Sequence, residues 1–222
     1  MTEHVLVVAP HPDDETLGCG GPLLRLAQSG AQLAWLIVTG ISREGGFSED
    51  RVRERDAEIE KVSSLFGFKE VFNLRFPTRQ LDRVPFQDLM GRFSAVYESF
   101  KPAQVFLPNR SDVHTDHRIV FDVAAACSKW FRFPSVQRVL AYETLSETDF
   151  ALGEPSIFRP NYYVDISNHL ERKLEVLQTY KSELDEFPFP RSIEAVRALA
   201  KLRGCTAGFN AAEAFQLLRE RF

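Results

Sequence analysis

The chain reads as an α/β protein: a Rossmann-like, doubly wound, mostly parallel sheet with additional C-terminal helices. Three observations predict this. Val5-Leu6-Val7-Val8-Ala9 is a short, uninterrupted, β-branched run, the pattern of a strand covered on both faces. Strand-length apolar runs then alternate with helix-length segments through the first two-thirds, as in βαβ units. Clusters of His and Asp directly follow two of those runs, where parallel sheets bind their ligands.

Taken in order, the opening strand leads to a helix over Leu17 to Gln28, ended by Ser29-Gly30. Leu33 to Thr39 is a second strand. A polar loop, Gly40 to Asp50, enters a helix with apolar residues at Val52, Ile59, Val62 and Phe66, stopped by Gly67. Glu70 to Leu74 is a short third strand. Phe86, Leu89, Met90, Phe93, Val96, Tyr97 and Phe100 then share one face of a helix that closes before Pro102. Gln104 to Leu107 is the fourth strand. A helix from Asp116 to Phe131 and a strand from Arg138 to Glu143 follow. Tyr162 to Ile166 suits an edge strand, and three helices are expected near 168–181, 192–203 and 211–220. Asn210-Ala211-Ala212-Glu213 reads as the capping box of the last one.

No repeat, low-complexity tract or linker divides the 222 residues, so a single domain over 1–222 is expected. With 44% hydrophobic and 26% charged residues the chain can fill a core, which argues against disorder. A net charge of -4 without a clustered basic tract speaks against a nucleic-acid partner. No apolar run approaches the roughly 20 residues of a membrane span. Cys19, Cys127 and Cys205 are odd in number and scattered, which suits buried fillers in a reducing compartment. With no leader-like start, the expected location is the cytoplasm.

The chemistry lies in two clusters. His11-Pro12-Asp13-Asp14-Glu15 follows the first strand, and Asp112-Val113-His114-Thr115-Asp116-His117 follows the fourth. In the usual strand order these strands are neighbours at the switch point, so the loops face one another. Crowded carboxylates repel, and a cation relieves that repulsion. His11, Asp14 and His117 can ligate one ion while leaving positions open, as catalysis requires. Zn2+ suits hydrolysis, and Fe2+ fits the same donors. Asp13, next to a ligand, is placed to take a proton from water acidified by the ion. His114 can stabilise an oxyanion and, if protonated, act as general acid. Asp116 is expected to hold a ring nitrogen of His114 and raise its pKa.

His11 to Glu15 followed by Gly20-Gly21, together with His114-Thr115-Asp116-His117, closely resembles the paired motifs of the LmbE-like (PIG-L) N-deacetylases. Arg55-Asp56-Ala57-Glu58 before Leu65-Phe66-Gly67 resembles that family's RxxE helix. Pro160 to Ile166, Lys173 and Tyr180-Lys181-Ser182 resemble its later region. Thr115 stands in place of the usual proline, and Glu183 where many members carry glutamine. The resemblance implies metal ligation by His11, Asp14 and His117, Asp13 as base, His114 with Asp116 as the assisting pair, and Arg55 in substrate binding. It narrows a hydrolase to one that removes an acetyl group from an N-acetylglucosamine-type sugar or conjugate. Family members often assemble, which leaves a homo-oligomer open.

Plainer readings compete at several positions. Glu15 suits a helix-start acceptor as well as a catalyst, and Gly18 to Gly21 suits close packing better than a phosphate loop. Asp112 either caps its turn or supports a ligand histidine. His4 and His169 read as structural or solvent-facing, and Arg51 to Glu58, apart from the resemblance, as a solvated helix face. Phe187 and Phe189 beside Arg191 suggest a lip over the site. The competing functions are another metal-dependent hydrolase such as a phosphoesterase, and a non-catalytic nucleotide- or metal-binding module.

Overall fold

The computed structural model describes residues 2–152 and 158–222. Its centre is one seven-stranded sheet in the order β3-β2-β1-β4-β5-β7-β6. The parallel strands are β1 (His4–Ala9), β2 (Gln32–Gly40), β3 (Glu70–Pro77), β4 (Gln104–Pro108) and β5 (Arg138–Tyr142). The edge strand β6 (Tyr162–Asp165) and β7 (Ala212–Glu220) complete it, with β7 antiparallel to both its neighbours.

The helices are α1 (Asp14–Gln28), α2 (Glu49–Phe66), α3 (Phe86–Phe100), α4 (Thr115–Ala126), α5 (Leu170–Leu177) and α6 (Ile193–Ala207). Successive β1 side chains serve opposite faces, as a strand's twofold period requires. Val5, Val7 and Ala9 pack with Leu17, Val62, Leu170, Leu174 and Val196 of α1, α2, α5 and α6. Leu6 and Val8 pack with Leu89, Phe93, Val96, Val120 and Val123 of α3 and α4. Both faces of β1 are therefore sealed, and the first His and Asp cluster leaves from its carboxyl end.

Two features bring α1 onto that end. Gly18 and Gly21 let the helix press against the sheet. A Cβ at Gly18 would come closer than 3.0 Å to the Tyr142 ring, and one at Gly21 closer than 3.0 Å to Ile166 Cγ2. The helix also kinks at Cys19, where φ is -148°, just before Pro22. α2 is capped by Ser48, whose hydroxyl accepts from the Arg51 N–H at 3.2 Å, and ends at Gly67 with φ 72°.

The expected helix near 211–220 is a correction, since these residues form β7. Ala212 to Phe215 are buried between β5 and β6, and the backbone groups of this stretch pair on both sides. Tertiary pairing overrides the helix preference of Ala, Glu, Gln and Leu here. Asn210 to Glu213 is accordingly no capping box, and Glu213 instead receives the buried Lys173 ammonium at 2.5 Å. The α4 helix also stops at Ala126, short of the expected Phe131, and Cys205 is exposed while Cys19 and Cys127 are buried.

Candidate metal centre

β1 and β4 are hydrogen-bonded neighbours, with Val7 level with Phe106, so the loops after them emerge side by side. One loop supplies His11, Asp13 and Asp14, and the other supplies Asp112, His114, Asp116 and His117. Donor atoms of His11, Asp14 and His117 all lie within 4.8 Å of one another. Asp14 Oδ2 is 3.4 Å from His11 Nδ1 and 3.3 Å from His117 Nε2. Tetrahedral bonds of about 2.0–2.1 Å put neighbouring donors about 3.4 Å apart, so this set fits a zinc-sized cation.

The outer nitrogens agree with that fit. His11 Nε2 donates to Asp116 Oδ2 at 3.2 Å, and His117 Nδ1 donates to Asp112 Oδ2 at 2.8 Å. A carboxylate on the far nitrogen fixes the tautomer and turns the other lone pair toward the shared centre. Asp112 is in turn held by the Thr148 hydroxyl at 2.7 Å, and Asp116 by the backbone N–H groups of Arg79 at 2.7 Å and Leu81 at 3.2 Å. Burial opposes charge on His11, yet hydrogen bonds to Asp116 and Asp14 outweigh it and raise its pKa to about 9. The carboxylates thus demand positive charge at this point, from protons or from a cation.

Asp13 sits beside this trio with φ 128°, outside the usual range for a side-chain-bearing residue. Its N–H donates to Glu15 Oε2 at 3.0 Å, and its carboxylate receives Arg191 Nη1 at 3.0 Å. Burial and the neighbouring Asp14 charge push its pKa well above the usual carboxylate range, while Arg191 pulls it back. Glu15 is fully buried and accepts from the Thr16 and Tyr180 hydroxyls, which gives it a structural place under the loop.

The expected grip of the Asp116 carboxylate on His114 is not made. His114 caps α4, and its Nδ1 accepts from the Asp116 backbone N–H at 3.0 Å. Burial, then the charges of His11 and His117, lower its pKa to about 4. An imidazole that accepts at Nδ1 while neutral carries its proton on Nε2. His114 is therefore a neutral N–H donor, and a protonated acid is not what this environment favours.

His11, Asp13, Asp14, His114 and His117 line a cavity of about 400 Å³, whose other walls include Ile41, Phe47, Arg51, Arg55, Asn73 and Arg79. Arg55 reaches it from α2, donating to the Pro12 carbonyl at 2.9 Å and pairing with Glu58 and Glu183. Arg191 and Glu183 also line it, and sequence reasoning assigned neither a role in the chemistry. Arg191 meets Asp13 across 178 residues, a separation that leaves no local spacing to read. In the expected lip Phe187 is exposed, while the Phe189 ring lies 5.7 Å under the Arg191 guanidinium, supporting the residue that enters the cavity. His4 bonds to the Phe100 carbonyl and His169 to Gln28, both away from the site.

The chain is similar to several known proteins. Diacetylchitobiose deacetylase from Thermococcus kodakarensis is 27% identical over 96% of this chain and 82% of its own. The Bacillus cereus protein named "Probable N-acetyl-alpha-D-glucosaminyl L-malate deacetylase 2" is 26% identical over 83% of this chain and 86% of its own. Among solved structures, the conserved protein TT1542 from Thermus thermophilus superposes with a TM-score of 0.78 at 28% identity, covering 100% of this chain and 97% of that one. The model of the PIG-L family, GlcNAc-PI de-N-acetylase, matches residues 6–128, more than half of the length, and the chain belongs to that family.

Proposed function

We propose that this protein hydrolyses the acetamide of an N-acetylglucosamine-type sugar or sugar conjugate, with His11, Asp14 and His117 holding a divalent cation, Zn2+ by preference. The carrying observation is Asp13: a buried carboxylate, held by Arg191 at 3.0 Å, beside three convergent donors and not one of them. When bound, the cation supplies Lewis-acid polarisation of the amide carbonyl and acidification of water.

The side chains account for the rest. Asp13 takes a proton from the attacking water, whose oxygen bonds to the acetyl carbon. His114 donates its Nε2–H to the carbonyl oxygen as charge gathers there, a task that suits a neutral imidazole. The C–N bond then breaks, and Asp13 returns its proton to the leaving nitrogen, giving acetate and a free amine. Arg191 holds Asp13 in place, and Arg55 fixes the Pro12 carbonyl from the cavity wall. Asp116 belongs to the support of His11.

Residues 1–222 act in this scheme as one domain in the cytoplasm. The free thiols of Cys19, Cys127 and Cys205 support a reducing setting, and no helix among the described residues is long and apolar enough to cross a membrane. The test is incubation with N,N'-diacetylchitobiose and with N-acetylglucosamine conjugates, measuring acetate and amine together. Release that stops on chelation and returns with Zn2+ supports the reading. No acetate from any N-acetylated sugar, with metal present, removes it.

A further inference from the structure

A second charge cluster lies in the cavity, beside the three donors. Arg51, Arg55 and Arg191 converge on the single carboxylate of Glu183. Oε1 accepts from Arg55 Nη2 and, at 3.3 Å, from Arg51 Nη2; Oε2 lies 3.5 Å from Arg191 Nη1. These arginines come from α2 and from the segment before α6, while Glu183 stands on the short turn after α5. All four residues line the cavity. Burial disfavours the Glu183 carboxylate, but Arg55 and Arg191 outweigh it and hold its pKa below the ordinary range, so it is charged.

Guanidinium groups aimed at one point are how proteins build receptors for carboxylate and phosphate. Here the receptor is already filled from within: besides Glu183, Arg51 pairs with Glu54 and Glu58, Arg55 with Glu58 and Arg191 with Asp13, so four carboxylates meet three guanidiniums. We propose that Glu183 is a built-in counter-anion occupying an anion subsite, so that the cavity selects N-acetylglucosaminides whose anomeric substituent carries no negative charge. This rests on the reading of the cavity as a sugar-amide site. Arg191 places the subsite, because the same Nη1 touches Asp13 and Glu183. In a 2-acetamido sugar the anomeric carbon is bonded to the carbon that bears the amide. We place the anomeric substituent, rather than the hydroxyl on the other neighbour of that carbon, on the Arg191 side, where a negative charge meets Glu183.

The test is calorimetric binding of two probes, methyl N-acetylglucosaminide and N-acetylglucosamine 1-phosphate, to the metal-loaded protein. Asp13→Asn is the common background of every protein compared, wild type at position 183 or not, so neither probe is hydrolysed and the result stands apart from whether acetate is released. The wild type is expected to bind the methyl glycoside at least tenfold more tightly than the phosphate. Glu183→Gln keeps the shape, removes the charge, and should shrink that ratio at least fivefold, whereas Glu183→Asp keeps the wild-type preference. A wild type with less than tenfold preference overturns the proposal. So does a ratio in Glu183→Gln that moves less than fivefold, or an equal shift in Glu183→Asp.

Discussion

Asp116 grips His11, not the histidine two residues before it. Its Oδ2 lies 3.2 Å from His11 Nε2, while its backbone N–H, and not its carboxylate, meets His114. One residue of the second loop thereby aims a donor of the first, and His114 is left neutral. This relationship separates the roles of residues that stand side by side in the sequence.

Asp116→Asn should loosen His11 and lower Zn2+ affinity about 10–100-fold, the usual effect of losing such a partner. His114→Ala should keep near-normal affinity and lose about 10²–10³ in kcat, as for a removed oxyanion donor. Chelator competition and steady-state rates measure both. Equal metal loss in the two variants contradicts the division.

Asp13→Asn should retain metal and abolish turnover. Arg191→Gln removes the cation that pulls the Asp13 pKa down, so that pKa rises further. The base is then available only at higher pH, and the acid limb of kcat/KM for an uncharged sugar moves up by about one unit or more. A limb that stays or moves down assigns the base elsewhere.

Much of this is legible in the sequence. The apolar run of β1, the helical face from Phe86 to Phe100, the β1–β4 adjacency and the gathering of His11, Asp14 and His117 all follow from local pattern plus one topological rule. β7 is not legible, because Ala212–Glu220 carries helix-forming residues and becomes a strand through its partners on either side. The contacts of Arg191 with Asp13 and of Glu183 with Arg55 are not legible either, since each bridges more than a hundred residues. The neutral state of His114 depends on burial and two neighbouring imidazoles, which spacing does not report.

Burial, opposed by hydrogen bonds from Thr16, the Asp13 backbone and Tyr180, raises Glu15 from the ordinary 4.5 to about 7. The folded state then binds more protons than the unfolded one between those values. Its contribution is most favourable below pH 4.5 and is lost as pH rises through about 7, by up to about 3 kcal/mol. Glu15→Gln should therefore gain stability relative to wild type between about pH 5 and pH 8. Urea unfolding at both values checks it, and a constant difference means that Glu15 stays ionised.

Gly21→Ala forces a methyl group closer than 3.0 Å to Ile166 Cγ2. Overpacking of this kind costs about 1–3 kcal/mol. At about 2–4 °C per kcal/mol for a domain of this size, Tm should fall measurably. Gly30→Ala, where a Cβ meets nothing within 4 Å but φ is +85°, tests backbone strain alone. An unchanged Tm for Gly21→Ala means that α1 does not press on the sheet as described.

Anomalous diffraction at the zinc edge, from crystals grown with Zn2+, bears on the metal centre without any intermediate step. One strong peak is expected, bonded to His11 Nδ1, Asp14 Oδ2 and His117 Nε2, with the Asp13 carboxylate beside it and unbonded. A peak bonded to Asp13, or zinc held elsewhere with those three side chains turned apart, contradicts the proposed hydrolysis.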